Sequence, residues 1–438
     1  MLPFRLAGQT YLSCTTRSLS GSSEVFLPPR CPTRVDNETL EASPDLSDWG
    51  TCDTNCPLRH YLTTEQIEAQ LRALGQARPE VASVFTLGQS VRGLNITGLR
   101  LTRGADRPRA LLRPLVWLVG NMHGNEVVGR EILTHLALLL ATVEDDPRLD
   151  RILQSSEVHI VPSVNPDGWA RATVGECGGQ DFRSGRLNEN RVDLNRNFPQ
   201  PGQEQEMEPE TQALVSWLSS NPFVLGANFH DGAVVASYPW DHYTDHTQKT
   251  GDQPTLDDGV FRALARLYAD NSPAMSNSSS CLKYSWLGPT TNGAAWYPKN
   301  GTLKDWSYRE TNSLDLVLEL SCCKYPVEYF LPRELDNNRE SLLRLLEQVQ
   351  TGVRGLVSHM DHTRAVGAVL GVTDSHSQEW AGKNVTVSDR GEFWRLLLPG
   401  SYSLQAWAGC LASPPALVTV TDHQVVTVNI TLSINICV

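Results

Sequence analysis

Between residues 57 and 350, short runs of consecutive apolar residues alternate with longer stretches whose apolar positions recur at helical spacing. LVWLVG, VHIVPSV, FVLGANF and LDLVLELS are of the first kind; EVVGREILTHLALLLATV and VFRALARLYAD are of the second. Runs that are apolar at successive positions suit strands covered on both faces, so this rhythm predicts an α/β sheet with ligands at the ends of its strands. In YLTTEQIEAQLRAL the apolar positions Ile67, Leu71 and Leu74 repeat with helical period, and Thr63 with Gln66 can form a capping box, so order is expected to begin here. After SLLRLLEQVQTGVRG the period changes to two, in NVTVSDRGEFWRLLLPGSYSLQAWAG and LVTVTDHQVVTVNITLSI. That change predicts a small antiparallel sandwich over residues 351–438. Residues 1–56 scatter Ser, Thr, Pro, Asp and Cys without a sustained period and are expected to form a poorly structured extension.

Charge narrows the choice of partner. The 49 acidic and 37 basic side chains give a formal net charge of −12, with no long basic block. A nucleic-acid partner is therefore not expected, and a cationic ligand suits the surface better. Six Asn-X-Ser/Thr sequons, at Asn37, Asn95, Asn277, Asn300, Asn384 and Asn429, accompany ten cysteines. Together they favour a secreted or extracellular protein. The start MLPFRLAGQTYLSC lacks the apolar core of a signal peptide, and no later run reaches transmembrane length. Cys52 and Cys56 have no second pair to complete a metal knuckle and are expected as disulfide or free thiols. Oligomeric state is not legible.

VGNMHGNE, residues 119–126, sets His123 and Glu126 three positions apart, on a loop and the first turn of a predicted helix. Catalytic zinc commonly takes three protein ligands and leaves a further position open. A distant third ligand is needed, and His230, at the end of FVLGANFH, is the candidate. On their own these residues could equally be chance placements, since the chain has eleven histidines and an isolated HxxE is common. Four further segments change that: SVNPDG (163–168), GRLNENRVDLNRNFP (185–199), NGAAWYP (292–298) and LELSCCKYP (318–326). In this order they resemble the zinc metallocarboxypeptidase family, and within it the regulatory branch that removes C-terminal Arg and Lys from peptides. The resemblance runs from about His60 to the C-terminus.

What the resemblance implies is specific. The fold would be a mixed sheet flanked by helices, forming a catalytic domain over residues 57–350, followed by a transthyretin-like β-sandwich. The activity would be hydrolysis of the C-terminal Arg or Lys of peptides and proteins by attack of zinc-activated water, with one zinc per catalytic domain. His123, Glu126 and His230 become the zinc ligands, and Asp193 the carboxylate that orients His123. Asn195 and Arg196 bind the substrate's terminal carboxylate, a task for which arginine's planar fork is suited. Arg186 stabilises the oxyanion, Tyr308 closes over the bound residue, and Glu319 is the general base. Arg191 has no counterpart in the motif and is expected at the surface. By the same resemblance, Asp241 pairs with a cationic terminal side chain, and Cys281 bridges Cys322.

Asp231 departs from the branch, which usually carries Gly after the ligand histidine; it could place an extra carboxylate near the metal or narrow the pocket. Two other functions stay open at this level. A relative that had lost catalysis would bind without cleaving, although it would have little need of the full residue set. A carboxypeptidase for apolar terminal residues is the other, and Asp241 argues against it.

Overall fold

The computed structural model describes residues 60–142, 146–177, 185–243, 251–276, 281, 284, 287–422 and 424–437, together with strand backbone at 4–6, 9–11, 15–17, 25–32 and 49–51. The rest of the segment expected to be an unstructured extension lies outside the described residues. The first helix, Thr64–Ala77, starts where its sequence sets it. The Thr63 hydroxyl accepts from Gln66 N at 3.2 Å and the Gln66 side chain accepts from Thr63 N at 2.9 Å, closing the capping box. Ile67, Leu71 and Leu74 are its buried face.

Eight strands form the central sheet: β1 (Ala82–Gln89), β2 (Asn95–Leu101), β3 (Leu115–Gly120), β4 (Glu157–Val161), β5 (Phe223–His230), β6 (Val235–Tyr238), β7 (Thr290–Asn292) and β8 (Leu314–Glu319). Their order across the sheet is β7-β6-β8-β5-β3-β4-β2-β1. The centre, β8-β5-β3-β4, is parallel, while β6 joins β8 and β2 joins β4 antiparallel, so the sheet is mixed. Every residue of β3, β4, β5 and β8 is buried, which explains their unbroken apolar runs.

Alternation along β3 shows how both faces are covered. Val116 and Leu118 join a core that includes Ile132, Leu136, Leu342 and Leu346, from helices Val128–Thr142 and Leu331–Glu347. Leu115, Trp117 and Val119 join the opposite core with Phe198, Leu214 and Leu218, the last two from helix Pro209–Ser220. At about 1.5–3 kcal/mol for each large apolar side chain buried, these two layers dominate the stabilisation and hold the strand ends rigidly.

Beyond Gly352 the chain builds two small sheets around a second core of Val353, Val357, Leu370, Phe393, Leu404 and Ile430. In strand Gly400–Ala408 the buried positions alternate, as period two requires. Strand Glu392–Arg395 is buried on both faces. Its Phe393 belongs to the second core and its Trp394 to the first, so this strand is shared between the two units.

Candidate active site

The parallel strands all deliver their C-terminal ends to one edge of the sheet, and the motifs lie there. Register does much of the placement. His230, the last residue of β5, pairs directly with Glu319, the last residue of β8. On its other side β5 aligns Phe229 with Gly120 of β3, so the loop after β3 emerges next to His230.

That loop carries His123 and Glu126, and its shape comes from Asn121. Asn121 adopts a positive φ of 57°, which asparagine tolerates better than most residues. Its side-chain amide donates to the carbonyls of His123 (3.1 Å), Gly124 (2.9 Å) and Glu126 (3.0 Å), while its oxygen accepts from the Ser163 hydroxyl at 2.9 Å. Gly124 passes so close to the Gly168–Trp169 peptide that a Cβ would come within 2.2 Å of it. Asn165 of SVNPDG then donates to the Met122 carbonyl at 3.1 Å and to the Arg186 carbonyl at 3.3 Å, tying the loop to the arginine-bearing segment. Asn121 and Asn165 are positioning residues that motif reading did not single out; the signal for them was asparagine inside the quoted motifs themselves.

His123, Glu126 and His230, all buried, bring their donor atoms together. Glu126 Oε2 is 2.9 Å from His123 Nδ1 and 2.7 Å from His230 Nδ1, and the two nitrogens are 3.1 Å apart. Those separations are close to the edge of a tetrahedral zinc site, where bonds of about 2.0–2.1 Å space neighbouring ligand atoms roughly 3.3 Å apart. Two imidazoles and a carboxylate are also a donor set that catalytic zinc takes. Burial holds His230 at a pKa of about 4, leaving the neutral imidazole that ligates metals. Burial alone would raise Glu126; the charges of His123 and Lys324 instead hold it well below the usual carboxylate range. The residues fit the ion.

Around this cluster, Asp193 Oδ1 lies 3.0 Å from His123 Nε2, while Asp193 Oδ2 accepts from Arg186 Nε (3.2 Å) and Nη2 (2.9 Å). Asp193 thus orients an imidazole and a guanidinium at once. Burial opposes its charge, but His123 and Arg186 push its pKa far down. Arg186 Nη1 reaches Glu126 Oε1 at 3.1 Å. Asn195 Oδ1 accepts from Leu303 N at 3.0 Å, and Arg196 Nη1 donates to the Asn195 carbonyl at 2.7 Å, so the two neighbours are braced together. Glu319 is buried, and burial first, then the charge of Glu126, pushes its pKa up to about 8. Arg191 is exposed, in a turn with φ 64°.

Asp231 does not turn its carboxylate to the cluster. Its Oδ2 accepts from Val128 N at 2.9 Å, capping the helix that follows the metal loop, where a carboxylate also complements the helix dipole. Burial and the charge of Glu126 raise its pKa well above the ordinary value.

Tyr308 is a correction. The structure does not bring it to the cluster: it is 3% exposed, its hydroxyl donates to Asp257 Oδ2 at 2.8 Å, and its ring packs against Trp240 and Phe261. A hydroxyl committed to a buried carboxylate is not available to a substrate. Tyr297, by contrast, is 40% exposed, with its ring centroid 4.3 Å from Lys299 Nζ. Tyr297 stands inside NGAAWYP, one of the segments that carry the family resemblance, and was not singled out there.

Among the described residues, disulfides join Cys177 to Cys323, Cys281 to Cys322 and Cys410 to Cys437. Asn300, Asn384 and Asn429 are exposed, Asn95 is half-buried with its amide donating to Glu68, and Asn37 and Asn277 lie outside the described residues.

A sequence profile of the family described as zinc carboxypeptidase matches residues 67–341. Carboxypeptidase D of Drosophila melanogaster is 42% identical over 375 residues, which cover 83% of this chain and 26% of that protein. The chain thus spans about a quarter of the length of that relative. The catalytic chain of carboxypeptidase N of Rattus norvegicus is 36% identical over 397 residues, 84% of each chain. Among solved structures, carboxypeptidase A of Helicoverpa armigera superposes with a TM-score of 0.51 at 17% identity, covering 66% of this chain and 74% of that one, a likeness of fold. The profile match, which spans more than half the chain, and a relative matched along most of both lengths agree with the site geometry, and the chain belongs to the zinc carboxypeptidase family.

Proposed function

We propose that this protein is a zinc-dependent exopeptidase that removes one C-terminal residue, Arg or Lys, from peptides, with residues 57–350 carrying the site. The observation that carries the reading is the convergence of His123, Glu126 and His230 beside Glu319, set by the β5–β8 register. Zinc, held by those three side chains, would supply a Lewis acid and make water a nucleophile near neutral pH. The chain's own groups do the rest. Arg196 and Asn195 fix the terminal carboxylate, which makes the enzyme cut only at a chain end. Arg186, aligned by Asp193, donates to the carbonyl oxygen as it gains negative charge. Glu319 takes a proton from the water as its C–O bond forms and passes it to the amine, whose C–N bond breaks as the tetrahedral oxyanion collapses, so no covalent enzyme intermediate is needed. Asp241, eleven residues beyond His230 and matching the position that pairs with a cationic end, supports a basic terminal side chain. The disulfides and exposed sequons support an oxidising, extracellular setting. Among the described residues, no helix is long and apolar enough to cross a membrane.

Chelation should abolish hydrolysis of Arg- or Lys-ended peptides and added zinc should restore it, with far-ultraviolet circular dichroism nearly unchanged because the cores do not depend on one ion. Metal analysis should find one zinc per chain; clearly less after reconstitution would sink the reading. Tyr297 takes the role first assigned to Tyr308. Tyr297→Phe should therefore lower kcat/KM several-fold with an unchanged Tm, whereas Tyr308→Phe should lower Tm by removing a partner of buried Asp257. The opposite split would return the role to Tyr308.

A further inference from the structure

The carboxylate expected to receive a basic side chain already has cationic company. Asp241 Oδ1 lies 3.0 Å from Lys304 Nζ and 3.3 Å from Lys299 Nζ. All three side chains are nearly excluded from water. The arrangement is built: Gly293 leaves space that a Cβ would close, coming within 1.9 Å of Asp241 Oδ1 and 3.0 Å of Lys304 Nζ. A second carboxylate beside Asp241, Asp305, is spent on the backbone N–H groups of Asp241 and His242 and on the His242 ring. Asp241 therefore faces two ammonium groups, of which Lys299 also feels the charge of Glu319.

The two lysines are not equivalent. Lys304 is on helix Leu303–Glu310, is fully buried and donates to the Ser237 hydroxyl at 2.9 Å, so it is part of the frame. Lys299 follows the exposed Tyr297 and Pro298 and precedes the exposed Asn300. Its ammonium lies 4.3 Å from the Tyr297 ring centroid and 5.0 Å from that of Trp296, a cation–π surface whose Tyr297 ring is 40% exposed. A third cation added beside Asp241 would be repelled; one that replaced Lys299 would leave the charge count as it is.

Resting on the carboxypeptidase reading, we propose that Lys299 is a specificity-determining residue that occupies Asp241 as an internal stand-in for the substrate's terminal Lys or Arg, and that a basic substrate binds by exchanging with it. Lys304 stays in place and screens Asp241 permanently, so selectivity for basic over apolar ends is set by the difference between the substrate's cation and the chain's own.

The test compares wild type with Lys299→Met, which keeps the apolar stem, on peptides differing only in a terminal Arg, Lys, Leu or Glu. The variant should raise the Arg-over-Leu ratio of kcat/KM roughly tenfold, mainly through a lower KM for the basic peptides. A change in kcat alone, an unchanged ratio, or a wild type that cleaves Glu-ended peptides faster than Arg-ended ones would overturn the proposal. Equilibrium binding of Gly-Arg and Gly-Leu to the same two proteins reads the exchange without turnover. Tighter Gly-Arg binding by the variant, with no peptide hydrolysed by the zinc-loaded wild type, would support the exchange and defeat the exopeptidase reading. Hydrolysis with no gain in Gly-Arg binding would do the reverse.

Discussion

Glu319→Gln is expected to lower kcat by about two to four orders of magnitude, the range general acid–base groups supply, while leaving KM for the same peptides nearly unchanged. The amide keeps the shape of the side chain at the end of β8 and loses only the capacity to accept and return a proton. Each factor of ten is about 1.36 kcal/mol of barrier, so the loss amounts to roughly 3–5 kcal/mol of transition-state stabilisation. The environment of Glu319 sharpens the test. Burial and the Glu126 charge raise its pKa to about 8, which favours the protonated, inactive form near neutral pH, whereas a divalent cation against Glu126 offsets that charge and favours the base. Activity of the zinc-loaded wild type should therefore rise with pH through the Glu319 ionisation, and the residual activity of Glu319→Gln should lack that limb. The variant should also be no less stable than wild type, because a neutral amide avoids the cost of burying a carboxylate. Steady-state kinetics across pH with a thermal melt checks all three. A loss below about fivefold would remove Glu319 from the role of base.

The parts of this site that could be read from the chain are those whose placement is local or follows from a strand end. Thr63 and Gln66 cap a helix because both partners lie within one turn. His230 and Glu319 end apolar runs, and once those runs are neighbouring parallel strands, their register brings the two side chains together. Residues whose role depends on distant neighbours were not legible. Tyr297 and Tyr308 stand in the same aromatic-rich stretch, and only the fold decides that one is exposed beside Lys299 while the other is buried against Asp257. Asp241 reads as a free carboxylate until the loop bearing Lys299 and the helix bearing Lys304 are folded over it. Asp231 follows a metal ligand in sequence, yet its side chain points to a helix terminus contributed by another segment. In GEFWRLLLPG, period two puts Phe393 and Arg395 on one face and Glu392 and Trp394 on the other, so that only one face is expected to be buried. The structure buries all of them, because the strand's other face is covered by the first core.

Arg395→Ala is expected to destabilise the protein by about 3–5 kcal/mol, the usual cost of stranding one partner of a buried ion pair. The Arg395 guanidinium pairs with Asp257 Oδ1, and both side chains are 1% exposed. Asp257 Oδ2 accepts from the Tyr308 hydroxyl at 2.8 Å and from Lys383 N at 3.1 Å, while Lys383 Nζ donates to the carbonyls of Tyr308 and Thr311. Arg109 and Glu392 form a second pair across the same junction. With Arg395 gone, Asp257 keeps a hydroxyl, one N–H and the field of Lys383, but loses its directly paired cation in a site closed to water. The consequence reaches the pocket, because Asp257 ends the segment in which the Gln253 carbonyl accepts from Trp240 N and from the Asn292 side chain, next to Asp241 and Gly293. The second unit therefore braces the segment that adjoins Asp241 and Gly293, and Arg395→Ala should raise KM in the surviving folded fraction as well as shift the denaturation midpoint. The double variant Arg395→Leu with Asp257→Leu removes both charges and should recover a large part of the lost stability, giving a coupling energy of more than about 1 kcal/mol. Urea denaturation of the wild type, the two single variants and the double variant measures that coupling. Additive losses would mean that the pair is not what joins the sandwich to the catalytic sheet.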